Sequence, residues 1–167
     1  QPYFTVRSAA LDAQVRRILP RRAVMTGRAV LACSPTAVVL SDGDRLNATG
    51  VIDARGVGDL SLLTGGWQKF VGHELRVAGG HGVTRPVVMD ATVPQLDGYR
   101  FVYLLPFTPD TLLVEDTYYS DSPVLDDATI AARVADYATA RGWQAEVIHR
   151  ERGVLPVVSG GDFAAYW

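Results

Sequence analysis

Residues 99–119 read Tyr99-Arg-Phe-Val-Tyr-Leu-Leu-Pro-Phe-Thr-Pro-Asp-Thr-Leu-Leu-Val-Glu-Asp-Thr-Tyr-Tyr119. Val, Tyr, Phe, Leu and Thr suit a pleated, half-buried surface, and the prolines at 106 and 109 break the run. The stretch therefore predicts two strands joined by a short turn at Pro106–Asp110. The first strand is aromatic and apolar. The second carries two adjacent acids, Glu115 and Asp116, inside an apolar run. A charge buried in a strand without a partner is expensive and tends to change its pKa, so these acids are the first place to look for chemistry. Alternation puts Leu113, Glu115 and Thr117 on one face and Leu112, Val114, Asp116 and Tyr118 on the other. The two acids thus point opposite ways and cannot form a dyad with each other. On pattern alone, both read as the solubility charges of an edge strand.

Upstream of this hairpin, Trp67–Val77 also alternates, with Val71, His73, Leu75 and Val77 on one face and Phe70, Gly72, Glu74 and Arg76 on the other. Glu74 is either an exposed strand residue or a site acid. The loop Ala78-Gly-Gly-His-Gly82 reads as plain, with no lysine or helix N-terminus placed to help it hold an anion. Pro86–Thr92 predicts an apolar strand with Asp90 at its end. The aromatics Trp67, Phe70, Phe101, Tyr103 and Phe107 are expected in the core, although a cavity lined by such rings also stabilises a cation.

Nearer the start, residues 3–7 suggest a short strand. Ser8 then offers an N-cap, with Leu11, Val15, Ile18 and Leu19 at helical spacing until Pro20. Strands are expected at Val30–Cys33, Ala37–Leu40 and Arg45–Leu46 around an Asp42-Gly43 turn. A further apolar strand is expected in Gly50-Val-Ile-Asp-Ala-Arg-Gly56; a strand ending in Asp and Gly is common in nucleotide-binding folds, though a turn needing glycine explains it equally. Beyond the hairpin, Asp126 or Asp127 caps a helix with an apolar stripe at Ile130, Val134, Tyr137 and Ala138, stopped at Gly142. A last strand, Ala145–His149, leads into Glu151-Arg-Gly-Val-Leu-Pro156. Two main helices among mostly hairpin-linked strands predict an α+β fold with a mixed or antiparallel sheet.

Composition narrows the function. The 167 residues are 48% hydrophobic and 20% charged, enough for a sizeable core. Sixteen basic and 18 acidic side chains give a net charge of −2 without a basic run, which argues against nucleic acid as a partner. The single cysteine, Cys33, fits a reducing compartment, and three separated histidines supply no metal-ligand spacing. No apolar run approaches the ~20 residues of a membrane span, and no signal peptide is expected.

Four segments in order carry a resemblance: Trp67-Gln-Lys-Phe-Val-Gly-His-Glu74, Val88-Met-Asp-Ala-Thr92, Tyr99-Arg-Phe-Val-Tyr-Leu-Leu-Pro106 and Leu113-Val-Glu-Asp-Thr117. Together they resemble the bacterial lycopene β-cyclases, and Val51-Ile-Asp-Ala-Arg-Gly56 and Arg152-Gly-Val-Leu-Pro156 also fit that family. The resemblance implies the central part of a two-domain FAD/NAD(P)-binding flavoprotein of glutathione-reductase-like fold. Residues 1–60 would be part of the flavin-domain framework and 61–167 part of the carotenoid domain. The family's Gly-x-Gly-x-x-Gly fingerprint and its C-terminal Gly-rich segment are not in this chain, so the chain alone is expected to bind flavin weakly or not at all.

The implied reaction is acid-promoted cyclisation of the ψ-ends of lycopene to β-rings, a non-redox isomerisation that uses reduced FAD, with NAD(P)H as reductant. Glu115 matches the family's catalytic glutamate, with Asp90 and Glu74 as second-rank candidates. Phe70, Phe101 and Tyr103 would line the substrate, and Arg7, Asp53, Arg55 and Gly56 would touch the flavin. The implied setting is cytoplasmic with peripheral attachment to membrane lipid. Alternatives are another flavoprotein of the same fold, such as a prenyl reductase or aromatic hydroxylase, or a non-enzymatic carotenoid- or lipid-binding domain.

Overall fold

A computed structural model describes residues 4–56, 58–96 and 98–166. The chain divides into two compact units, Gln1–Gly58 and Asp59–Trp167. It is a mixed α/β protein with antiparallel sheets and few helices.

The first unit holds helix α1 (Ser8–Ile18) and the strands β1 (Val30–Ser34), β2 (Ala37–Leu40) and β3 (Arg45–Asn47). The strands form an antiparallel sheet in the order β1-β2-β3. The Asp42-Gly43 turn forms as expected, with Gly43 at φ 90° and the Arg28 guanidinium bridging Asp42 and Asp44. Three expectations need correction here. The N-cap of α1 is Arg7 rather than Ser8, with no side-chain cap bond. Residues 4–7 are not a strand, and residue 3 lies outside the described residues. Nor does the Gly50–Gly56 run form one: Ile52 is 95% exposed, and Val51 N–H donates to the Pro35 carbonyl. An apolar run becomes a strand only when neighbouring strands take up its backbone donors and acceptors, and here the sheet ends at β3.

The second unit is built on a five-stranded antiparallel sheet in the order β5-β6-β7-β4-β8. Its strands are β4 (Leu63–Val77), β5 (Val87–Asp90), β6 (Arg100–Pro106), β7 (Thr111–Ser120) and β8 (Ala145–Gly161). The residues 99–119 hairpin forms as read, closed through Thr108 and Thr111. Helix α2 (Asp127–Ala140) starts at Asp126, whose carboxylate accepts from Thr129 N–H at 3.0 Å, and Gly142 follows it at φ 73°. A short helix α3 (Phe163–Tyr166) follows β8.

Helix α2 covers one sheet face. Val134 and Ala138 pack on Leu75, Val77, Val102, Leu104, Leu112 and Val114, while Ile130 meets Val71 and Tyr118. Burying each of the valine, leucine and isoleucine side chains here is worth roughly 1.5–3 kcal/mol, so this layer anchors the sheet. Asp116 also lies on this face, fully buried, and Arg100 Nε and Nη2 donate to it at 2.9 and 2.5 Å. Asp116 is therefore an internal ion pair under the helix rather than a solubility charge. The last strand is also longer than expected: β8 continues past His149 to Gly161 and pairs with β4 along its whole length. Proline, which cannot donate to a ladder, is tolerated at 156 because β8 is an edge strand.

Candidate active site

Glu115 stands on β7, the middle strand of the five, so it is not an edge charge. Direct pairing makes a row across the sheet: Tyr103 on β6, Glu115 on β7, Gly72 on β4 and Glu151 on β8. The next row is Phe101, Thr117, Phe70 and Gly153. All these positions share the sheet face opposite α2, as alternation requires. Glu115 and Asp116 thus serve opposite faces, as the sequence indicated.

Aromatic residues stand beside the acid in its own row and the next, Tyr103 directly opposite and Phe101 and Phe70 diagonal to it. Phe101 is 1% exposed; its ring lies 5.2 Å from Tyr103, 5.5 Å from Tyr99 and 6.3 Å from Tyr119, centre to centre. Phe70 leans across Gly153, where a Cβ would fall 2.3 Å from the ring. At the Tyr99–Tyr119 end, these two residues, Gly66 and Val157 help line a concavity of about 670 Å³. Of the three residues expected to line substrate, Phe70, Phe101 and Tyr103, all stand on this face.

Burial pushes the Glu115 carboxyl up to about 7, against the opposing pull of the Thr117 hydroxyl, which donates to Oε1 at 2.9 Å. The nearby Glu151 carboxyl adds to the upward shift by like charge and by hydrogen bonding. A carboxyl with this pKa is about half protonated at neutral pH and is suited to giving and taking a proton there.

Glu74 is buried on the same face, paired with Leu113 and so a diagonal neighbour of Glu115 across the two strands. Asp90 is placed differently. Met89, at φ 63°, and a register shift in β5 set Asp90 opposite Val102, on the α2 side of the sheet. Its carboxylate accepts from Tyr137 Oη at 2.7 Å, from Thr92 Oγ1 at 2.6 Å and from Arg141 Nη2 at 3.4 Å. The Thr92 bond heads the causes that hold it below the usual carboxylate range, and the Tyr137 phenol is pushed up to about 12 by burial and by Asp90. The structure brings Glu115 and Glu74 together and ties Asp90 to the helix. Sequence reasoning missed Glu151, because it ended the last strand at His149, whereas β8 runs on to Gly161. The alternation His149, Glu151, Gly153, Leu155 was the signal available.

In the first unit, Asp53 and Arg55 hold each other: Arg55 Nε and Nη2 donate to the two carboxylate oxygens at 2.9 and 2.7 Å. Arg55 Nη1 also donates to the Val30 carbonyl at 3.1 Å, and Cys33 Sγ to Asp53 at 3.2 Å. Bonding from Arg55 depresses the Asp53 pKa. Gly56 has φ 91°, and a Cβ there would meet nothing within 4 Å, so the turn's backbone is open to a ligand. Arg7, exposed, gives its carbonyl to Leu11 N–H at the start of α1. The turn thus leaves its backbone at Gly56 uncovered, with the Arg55 charge already engaged. Among the described residues, no group of three or more His, Cys, Asp and Glu could hold a metal ion, and no helix is long and apolar enough to cross a membrane.

Residues 1–166 match the sequence model of the lycopene cyclase protein family. The chain belongs to that family. It is 52% identical over 128 residues to a lycopene beta-cyclase of a Paracoccus species, covering 77% of this chain and 33% of that relative. It is 47% identical over 134 residues to one from Pseudescherichia vulneris, covering 80% and 35%. A third, from Pantoea ananas, is 43% identical over 140 residues, covering 83% and 37%. The chain thus spans about a third of the length of these curated relatives. No solved structure matches it.

Proposed function

We propose that this chain carries the acid–base centre of a lycopene β-cyclase, and that the whole protein closes the ψ-ends of lycopene into β-rings without net redox change. The observation that carries this reading is Glu115: a carboxyl on the central strand, lifted to about 7 by burial, among Phe101, Tyr103 and Phe70. Cyclisation by acid needs a proton donor for an alkene carbon, surroundings that tolerate the carbocation, and a base for the ring proton. Glu115 gives its proton to the alkene as the π pair forms the new C–H bond. The next double bond attacks the cation and closes the ring, and a carboxylate on this face takes the ring proton and restores the double bond. The faces of the aromatic rings favour the positive charge in between.

The lycopene cyclase family implies FAD, reduced by NAD(P)H. Arg7 and the Asp53–Gly56 turn are the parts of this chain that would hold it, the turn through its open backbone at Gly56. Bound, a reduced flavin supplies an electron-rich ring that favours a nearby cation. The division into a flavin-framework segment (1–60) and a carotenoid segment (61–167), within a two-domain flavoprotein, belongs to the same proposal. So does peripheral attachment to membrane lipid on the cytoplasmic side, since a carotene dissolves in the bilayer.

Glu115→Gln in the complete protein tests the reading. Loss of one positioned proton donor lowers conversion of lycopene to cyclic product by about 100-fold or more; conversion within a few-fold of the parent would sink the assignment.

A further inference from the structure

The acid-bearing strand and the edge strand meet over a glycine. Gly72 pairs with Glu115 on one side and with Glu151 on the other. A Cβ on Gly72 would lie 3.0 Å from Glu151 Cγ, 3.2 Å from its Oε1 and 3.2 Å from Leu113 Cδ1. The Glu151 side chain therefore lies across the backbone of β4, toward Glu115, although an edge-strand glutamate has open water on its other side. Two ionised carboxylates would repel one another there, whereas a carboxylic acid beside a carboxylate shares a hydrogen bond. We propose that Glu115 and Glu151 hold one proton between them across Gly72, with Glu151 as the positioning residue that keeps Glu115 protonated and exchanges its proton with water.

The inference rests on the reading of Glu115 as the cyclisation acid. Glu151 is exposed and Glu115 half-buried, so the pair spans the distance from solvent to the aromatic face. The proton balance closes: one proton passes from Glu115 to the alkene, and one returns from the ring carbon to the pair. The other groups facing Glu115 are Thr117 on its own strand, Tyr103 on β6, Glu74 on β4 and His149 on β8. Arg150 and Arg152 of β8, opposite His73 and Val71, fall on the other face, so neither competes for the pair. Glycine at 72 is what lets the carboxyls approach, because any side chain there would occupy the space between them.

The experiment is an infrared titration of the complete protein, following the Glu115 carboxyl band identified by its loss in Glu115→Gln. In Glu151→Ala, and in Gly72→Ala where the new methyl wedges between the carboxyls, the midpoint moves down by about one pH unit. The alkaline limb of lycopene cyclisation moves with it, which loss of mere structural support would not produce. An unmoved midpoint in Glu151→Ala, whose exposed site tolerates truncation, overturns the pair. The titration needs no turnover, so the two readings fail separately. Cyclisation surviving in Glu115→Gln with the midpoint shift intact overturns the catalytic role and supports the pair. An inactive Glu115→Gln with an unmoved midpoint does the reverse.

Discussion

Glu115→Gln should make the chain more stable in alkali. The folded carboxyl titrates at about 7 against an ordinary value of 4.5, chiefly because burial penalises the charge. A raised folded pKa means that the native state holds its proton more tightly than the unfolded chain does. Stability from this group is therefore full below the unfolded value and is lost as pH rises through the folded one. The gap, at about 1.4 kcal/mol per pKa unit, sets an upper cost of about 3–4 kcal/mol in alkali. Solvent screening of a partly exposed group trims this to about 2 kcal/mol. Glutamine keeps the shape and cannot ionise, so the variant avoids the cost. Urea unfolding of parent and variant should give a difference of about 2 kcal/mol in the variant's favour near pH 8, shrinking below about 1 kcal/mol near pH 4 to 5. Comparing the two proteins at each pH cancels the histidines, which titrate in both. A variant equal to or less stable than the parent near pH 8 would show that Glu115 is not strained in its ionised form, and the acid assignment would lose its physical basis.

Other consequences concern the scaffold and the Asp53–Gly56 turn. Arg100→Met strands the Asp116 carboxylate under α2 and should cost about 3–5 kcal/mol in urea unfolding, most of it recovered by adding Asp116→Leu. Asp126→Ala removes the cap that accepts from Thr129 and should lower stability by about 1 kcal/mol in the same measurement. Purified alone, the 1–167 chain should lose added FAD on desalting, because the Asp53–Arg55 pair has consumed its charges and the turn offers backbone alone; a chain that stays yellow with stoichiometric flavin would refute this.

The hairpin at 99–119 was legible because strand period, turn prolines and the separation of Glu115 from Asp116 are all local properties of the chain. The helix at 127–140 was legible for the same reason, from its cap, stripe and terminal glycine. Sheet order was not local: whether Glu115 lay on an edge or in the middle depended on β4 and β6 both pairing with β7, and no residue of β7 records that. The Gly50–Gly56 run failed as a strand because propensity supplies an extended backbone but not the neighbours that satisfy it. The last strand erred in the opposite sense: it was ended at His149, whereas β8 runs on through Pro156, which an edge strand tolerates. Gly72 joins both kinds of information. As a sequence feature it is one glycine in a β-favouring run, a position where glycine weakens a strand. Only register shows what the weakness provides, because 72 is the one position in β4 paired with Glu115 on one side and Glu151 on the other. A larger residue would serve the strand better and would part the two carboxyls.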